Sequence, residues 1–242
     1  RDRLRSRGLG DVYKRQYLDR ADSRAMLKRI RDYNEDELKA LNTNAIKSGA
    51  TDEAKVAAAG KLNKNIVSAL GSLGGKAIGL CGLDGALFQA KKLDDKYGLV
   101  GKIVKVEPQV VNDVLACGYI PVVSTVALGI DNDTAYNINA DTAAAQLAIS
   151  LGAEKLILLT DVRGVLRDPK DDSTLIHQIR REEVPGLLSS GIIGGGMIPK
   201  IQCCVDALEH GVHRAHILDG RIPHSILTEM LSHKGIGTML WE

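Results

Sequence analysis

Aromatic residues are almost missing from this sequence: it has one Phe and one Trp in 242 residues. A chain so short of flat rings offers no stacking platform for nucleic-acid bases. Cysteine is scarce as well. Cys81, Cys117, Cys203 and Cys204 are the four present. Their spacing fits neither a zinc site nor a disulfide scaffold, which predicts a reducing, cytoplasmic setting and no structural metal. Long apolar runs are lacking too. Residues 120–123 and 156–159 are typical of those present, far below the roughly 20 residues that span a bilayer. Residues 1–16 contain no apolar stretch of the signal-peptide kind. The 32 basic and 30 acidic side chains are unevenly spread: residues 1–31 hold 11 and 4, which leaves 21 and 26 and a net charge of −5 in the body. An acidic body lacks the clustered basic face of a nucleic-acid binder. Neither a nucleic-acid nor a membrane partner is expected.

What is present is ordinary globular material, 44% apolar and 26% charged. Residues 1–59 read as an atypical basic head, mostly helical or disordered. A helix is expected over residues 51–70, capped by Thr51 and closed by Gly74-Gly75. From Lys76 onward short apolar runs alternate with helical stretches, the mark of βαβ units. Strands are expected over 76–80, 120–124, 154–160, 213–218 and 237–241. An antiparallel excursion fills 86–106, and helices fill 108–116, 139–151, 197–210 and 223–231. Residues 154–160 read as a buried parallel strand. The expected architecture for 60–242 is a three-layer α/β/α sandwich around a mainly parallel central sheet. Its ligand should lie beyond the C-terminal strand ends.

Three segments carry candidate chemistry. The strand ending at Leu159 delivers Thr160-Asp161 and then Gly164, polar groups where α/β proteins hold ligands; a loop cap is the plainer alternative for Asp161. In Tyr136-Asn137-Ile138-Asn139-Ala140-Asp141, Asn139 suits an N-cap and Asp141 the first helical turn. Capping does not explain Asn137, which offers a donor and an acceptor to a small polar ligand. Gly194-Gly195-Gly196-Met197-Ile198-Pro199-Lys200 allows a loop with exposed amides, followed by a lysine able to neutralise a phosphoryl group. It is no P-loop, since no Gly-Lys-Ser/Thr ending follows. Gly79-Leu80-Cys81-Gly82-Leu83-Asp84-Gly85 could edge the same pocket. The histidines and the Cys203-Cys204 pair read as structural, with one thiol buried and one partly exposed.

These motifs, with His216-Ile217-Leu218-Asp219-Gly220-Arg221, come in the order found in the acetylglutamate kinases of the amino-acid kinase family, which residues 60–240 resemble. The resemblance implies ATP-dependent phosphorylation of the γ-carboxylate of N-acetyl-L-glutamate, with Mg²⁺, on the route to arginine. It implies a catalytic role for Lys200 and for Asp141, which orients it. Asn137 and Asn139 would bind substrate. Thr160, Asp161, Gly164, Gly195, Gly196 and Met197 would lie along the nucleotide. The segment Lys234-Gly235-Ile236-Gly237-Thr238-Met239 resembles the tail of arginine-inhibited members, which implies L-arginine as an effector and a homo-oligomer, dimer or hexamer. The family's opening Lys-x-Gly-Gly and His-Gly-Gly-Gly-Pro loops have no counterpart, and Asp11-Val12-Tyr13-Lys14-Arg15-Gln16 reads as translated adapter sequence. Losing one phosphate-facing lysine and an amide nest predicts little or no turnover. The alternatives are a non-catalytic arginine-binding or assembly module and another phosphotransferase of the same family.

Overall fold

The computed structural model describes residues 57–130, 134–232 and 235–242. The expected head lies almost wholly outside the described residues, as do the Thr51 cap and Lys234. The described chain opens with a π-helical turn at Ala57–Leu62 that passes into helix α1, Asn63–Gly71.

Two hydrogen-bonded sheets follow. The first contains β1 (Ala77–Gly82), β2 (Phe88–Lys92), β3 (Gly101–Val106), β4 (Ile120–Gly129) and β5 (Ala135–Asn137), in the order β1-β4-β2-β3 with β5 on β4. The second is β6-β8-β9-β7, formed by β6 (Lys155–Thr160), β7 (Gln178–Arg180), β8 (Arg214–Asp219) and β9 (Thr238–Trp241). Pairing is parallel in β1–β4, β2–β4, β6–β8 and β7–β9. It is antiparallel in β2–β3, β4–β5 and β8–β9. The mainly parallel α/β character matches the sequence reading. The strands divide between two sheets, however, because among the described residues nothing bridges the outer edges of β1 and β6.

Helices cover these sheets: α2 (Gln109–Ala116), α3 (Ala140–Ser150), α4 (Val184–Ser189), α5 (Met197–Glu209) and α6 (Ser225–Leu231). The small-residue helix α3 serves both cores. Ala143, Leu147 and Leu151, at spacing four, join the first cluster, whereas Ala144, Ala145, Ala148 and Ile149 join the second. One expectation fails in detail. Strand β6 buries Leu156 and Leu158, but Leu159 is 51% exposed, because β6 is the edge of its sheet and one face at that end is open. Strand β4 also runs five residues beyond its expected end at Ser124.

Candidate active site

Helices α3 and α5 lie side by side and run in the same direction. Three contacts in matching order show it: Asp141 with Lys200, Thr142 with Cys203, and Gln146 with Asp206. Short turns lead from α3 into β6 and from α5 into β8. The two helix N-termini therefore share one end of the layer with the C-terminal ends of β6 and β8, Thr160 and Asp219.

At that end the Lys200 Nζ donates to the Asp141 carboxylate at 2.7 Å, with both side chains about three-quarters buried. A carboxylate is favoured in the first turn of α3 and an ammonium is disfavoured in the first turn of α5. The pair offsets one charge of each sign, so two positive helix ends remain for an anion. Gly195 and Gly196 lie exposed just before α5, and a Cβ on either would meet open space. Gly195 adopts φ 52°, the left-handed region that turns this loop into the helix. Met197 and Ile198 donate their amides to the Gly194 and Gly195 carbonyls.

The other predicted residues are placed less directly. Asn139 caps α3: its Oδ1 accepts from the Thr142 amide at 3.0 Å and the Thr142 hydroxyl at 3.3 Å. Asn137 is half-buried and pairs with Val126 of β4, its amide bonded to the Leu99 carbonyl. The Thr160 hydroxyl donates to the Val162 carbonyl and accepts from the Val162 amide, which closes a tight turn. Asp161 in that turn is exposed. Gly164 sits at φ 146°, and a Cβ there would lie 2.5 Å from the Thr238 Oγ1, so it is glycine to let β9 approach. The structure thus joins Lys200, Asp141 and the glycine loop at one end of the helix pair, whereas Asn137 enters from the neighbouring sheet.

Burial pushes the Cys203 and Cys204 thiols up, and Asp141 adds to both shifts. Both are therefore poor nucleophiles.

Two charged groups lie outside the predicted site residues. Asp219, buried at the end of β8, accepts two hydrogen bonds from the Arg221 guanidinium and one from its amide. Burial alone would raise this carboxyl; the Arg221 bonds and charge, with Arg163 behind them, bring it below its ordinary value. Glu229 on α6 meets His216 Nδ1 at 3.0 Å and accepts the Ile236 and Gly237 amides. It forms one wall of a cleft of about 430 Å³ whose other walls include Lys155, Arg214, Met239 and Trp241. The His216 Nε2 and Trp241 Nε1 are buried without a hydrogen-bond partner among the described residues. The sequence signal for this cleft was the Gly235-Ile236-Gly237 turn.

An α/β layer that sets two helix N-termini, a lysine–aspartate pair and a glycine loop at one end has the make-up of an anion-binding site. The model of the amino acid kinase family matches residues 7–219, and the chain belongs to that family. Among its relatives, the acetylglutamate kinase of Clostridium beijerinckii is 59% identical over 184 residues, 75% of this chain and 65% of that protein. That of Clostridium kluyveri is 49% identical over 192 residues, covering 78% and 68%. The chain therefore groups with the acetylglutamate kinases, while spanning about two thirds of their length. Among solved structures, N-acetylglutamate synthase from Neisseria gonorrhoeae, complexed with coenzyme A and N-acetyl-glutamate, aligns with a TM-score of 0.69 at 25% identity. It covers 85% of this chain and 50% of that one. Carbamate kinase from Giardia lamblia, bound to AMP-PNP, shares the fold: TM-score 0.58, 16% identity, 84% and 77% coverage.

Proposed function

We propose that this chain carries the acceptor-side and nucleotide-side residues of an ATP-dependent kinase that phosphorylates the γ-carboxylate of N-acetyl-L-glutamate. The observation that carries this reading is the 2.7 Å Lys200–Asp141 pair, formed by residues 59 apart in sequence at the shared end of two helices. In the transfer, an acceptor carboxylate oxygen attacks the γ-phosphorus in line, the bond to the bridging oxygen breaks, and ADP leaves. Lys200 offsets charge on the transferred oxygens, and Asp141 holds the ammonium in position. Asn137 binds the acceptor, and Asn139 fixes the start of α3. Gly195, Gly196 and Met197 line the phosphates; Thr160, Asp161 and Gly164 shape the nucleotide side.

Mg²⁺ supplies charge neutralisation on the phosphates. Beside the paired Asp141 and Asp219, exposed Asp161 is one carboxylate at that end that would be able to hold the ion.

The sequence holds no Lys-x-Gly-Gly loop, so turnover by this polypeptide alone is expected to be low. Trapping the acyl phosphate as hydroxamate, with ATP, Mg²⁺ and N-acetyl-L-glutamate, tests the reading. Lys200→Ala is expected to lower whatever rate is found by about 10²–10³. Equal rates in both proteins would remove Lys200 from the reaction.

The cleft beside Glu229 supports L-arginine as an effector. Lys155 and Arg214 suit an α-carboxylate, and Glu229, held by His216 and by the Ile236 and Gly237 amides, gives the cleft a negative wall toward a guanidinium. Calorimetry with L-arginine checks this, and a Glu229→Gln variant that bound as tightly would refute it.

A further inference from the structure

Asn63 is 3% exposed, an unusual burial for an amide side chain at the start of a helix. Its Nδ2 donates to the Leu80 carbonyl of β1 at 3.0 Å, and to the Val122 carbonyl at 2.7 Å and the Ser124 Oγ at 3.1 Å, both on β4. The Ser124 hydroxyl in turn donates to the Leu80 carbonyl at 3.2 Å. One side chain thus ties two parallel strands together. Room for it comes from Gly79, where any Cβ would collide with the Asn63 Oδ1. This gives the strand glycine Gly79 a packing role.

The tie sits where the ladder changes. Strands β1 and β4 stay in register up to Cys81↔Ser124; the next pair is Gly82↔Ala127, so Thr125 and Val126 form a bulge. Those two residues receive the candidate acceptor segment: Val126 pairs with Asn137, and the Thr125 carbonyl accepts the Ile138 amide at 2.8 Å. Gly82 keeps the bulge clear, since a Cβ there would meet the Val126 carbonyl.

We infer that Asn63 is a positioning residue for the acceptor side of the site: its amide pins β4 at Ser124 and so fixes where the bulge delivers Asn137. The acceptor part of this inference rests on the reading of Asn137 proposed above; the geometric part does not.

Asn63→Asp is the discriminating variant. It keeps size and shape but turns an oxygen toward the Leu80 and Val122 carbonyls. Ser124→Ala is the milder second variant, removing one corner of the tie. Amide hydrogen exchange on the whole chain should show Asn137 and Ile138 exchanging at least about tenfold faster in Asn63→Asp, the effect of losing a buried hydrogen bond. A smaller change in the same direction is expected in Ser124→Ala, with the Ile217 amide of β8 unchanged in both. Calorimetry should show weaker N-acetyl-L-glutamate binding by about tenfold with ATP binding unaltered. Unchanged exchange at Asn137 and Ile138, or equal acceleration at Ile217, would overturn the inference. If the parent chain binds no N-acetyl-L-glutamate, the proposed acceptor falls, and the exchange rates still decide the role of Asn63.

Discussion

Strands β1 and β8 both pair in parallel with a neighbour, and although β1 is apolar while β8 carries Arg214, His216 and Asp219, it is β8 that is buried. In β8 every residue from Ala215 to Asp219 is buried, whereas in β1 only Gly82 is. The difference lies in what flanks them. Strand β8 has β6 on one side and β9 on the other; among the described residues β1 has β4 alone. The two cores follow suit, with sixteen buried residues in the C-terminal cluster and eight in the N-terminal one among the described residues. A hydrophobic strand sequence reports what a strand can bury; its place in the sheet sets what it does bury.

Substitutions can break this contrast. The largest effect is expected for Ile217→Ala, which opens a cavity at a fully buried site of β8. It should cost about 2–5 kcal/mol by denaturant unfolding, against about 1 kcal/mol for Leu80→Ala in half-buried β1. Equal losses would mean that the two sheets are equally well supported. Thr238→Val comes next. The Thr238 Oγ1 accepts the Val165 amide at 2.8 Å and donates to the Ile176 carbonyl at 2.7 Å. Leaving both unpaired in the core should cost about 2 kcal/mol.

Acid should weaken the C-terminal unit selectively. Burial would raise the Glu229 carboxyl, but bonds with His216 and the Ile236 and Gly237 amides hold it below its ordinary 4.5. A carboxyl depressed on folding contributes fully above its unfolded value, and that share is lost as pH falls through the folded value. Stability should therefore decline as pH drops below 4.5, and Glu229→Gln should show a shallower decline in a pH series of unfolding curves. At the small end, Asp95→Asn breaks the exposed Lys92–Asp95 bridge and should leave the unfolding midpoint unmoved.

Much of this arrangement was legible in the residues. Periodicity and caps located α2, α3, α5 and α6 within a residue or two, because Asn139 and Gly118 are local signals; α4 was not anticipated, and the helix expected over 51–70 becomes α1 only at Asn63, after a π-helical turn. The Asp141–Lys200 pairing followed from family resemblance rather than spacing. The division into two sheets was not legible. Strand β9 enters between β7 and β8, and no local pattern encodes such long-range pairing. The extension of β4 past Ser124 was hidden by its bulge, since the next residues pair with β5 instead of β1. The sequence reading did not single out Asn63; the signal that could have revealed it was Gly79, a strand glycine that implies close approach.

Helix α3 constrains what variation this molecule can accept. Its two stripes of small and aliphatic residues face different cores, and its first turn places Asp141. A point substitution disturbs one stripe. A single inserted or deleted residue rotates everything beyond it by about 100°, exchanging the stripes between cores or carrying Asp141 away from Lys200. Along these eleven residues the chain can drift in spelling but not in length, so length polymorphism among descendants should fall elsewhere.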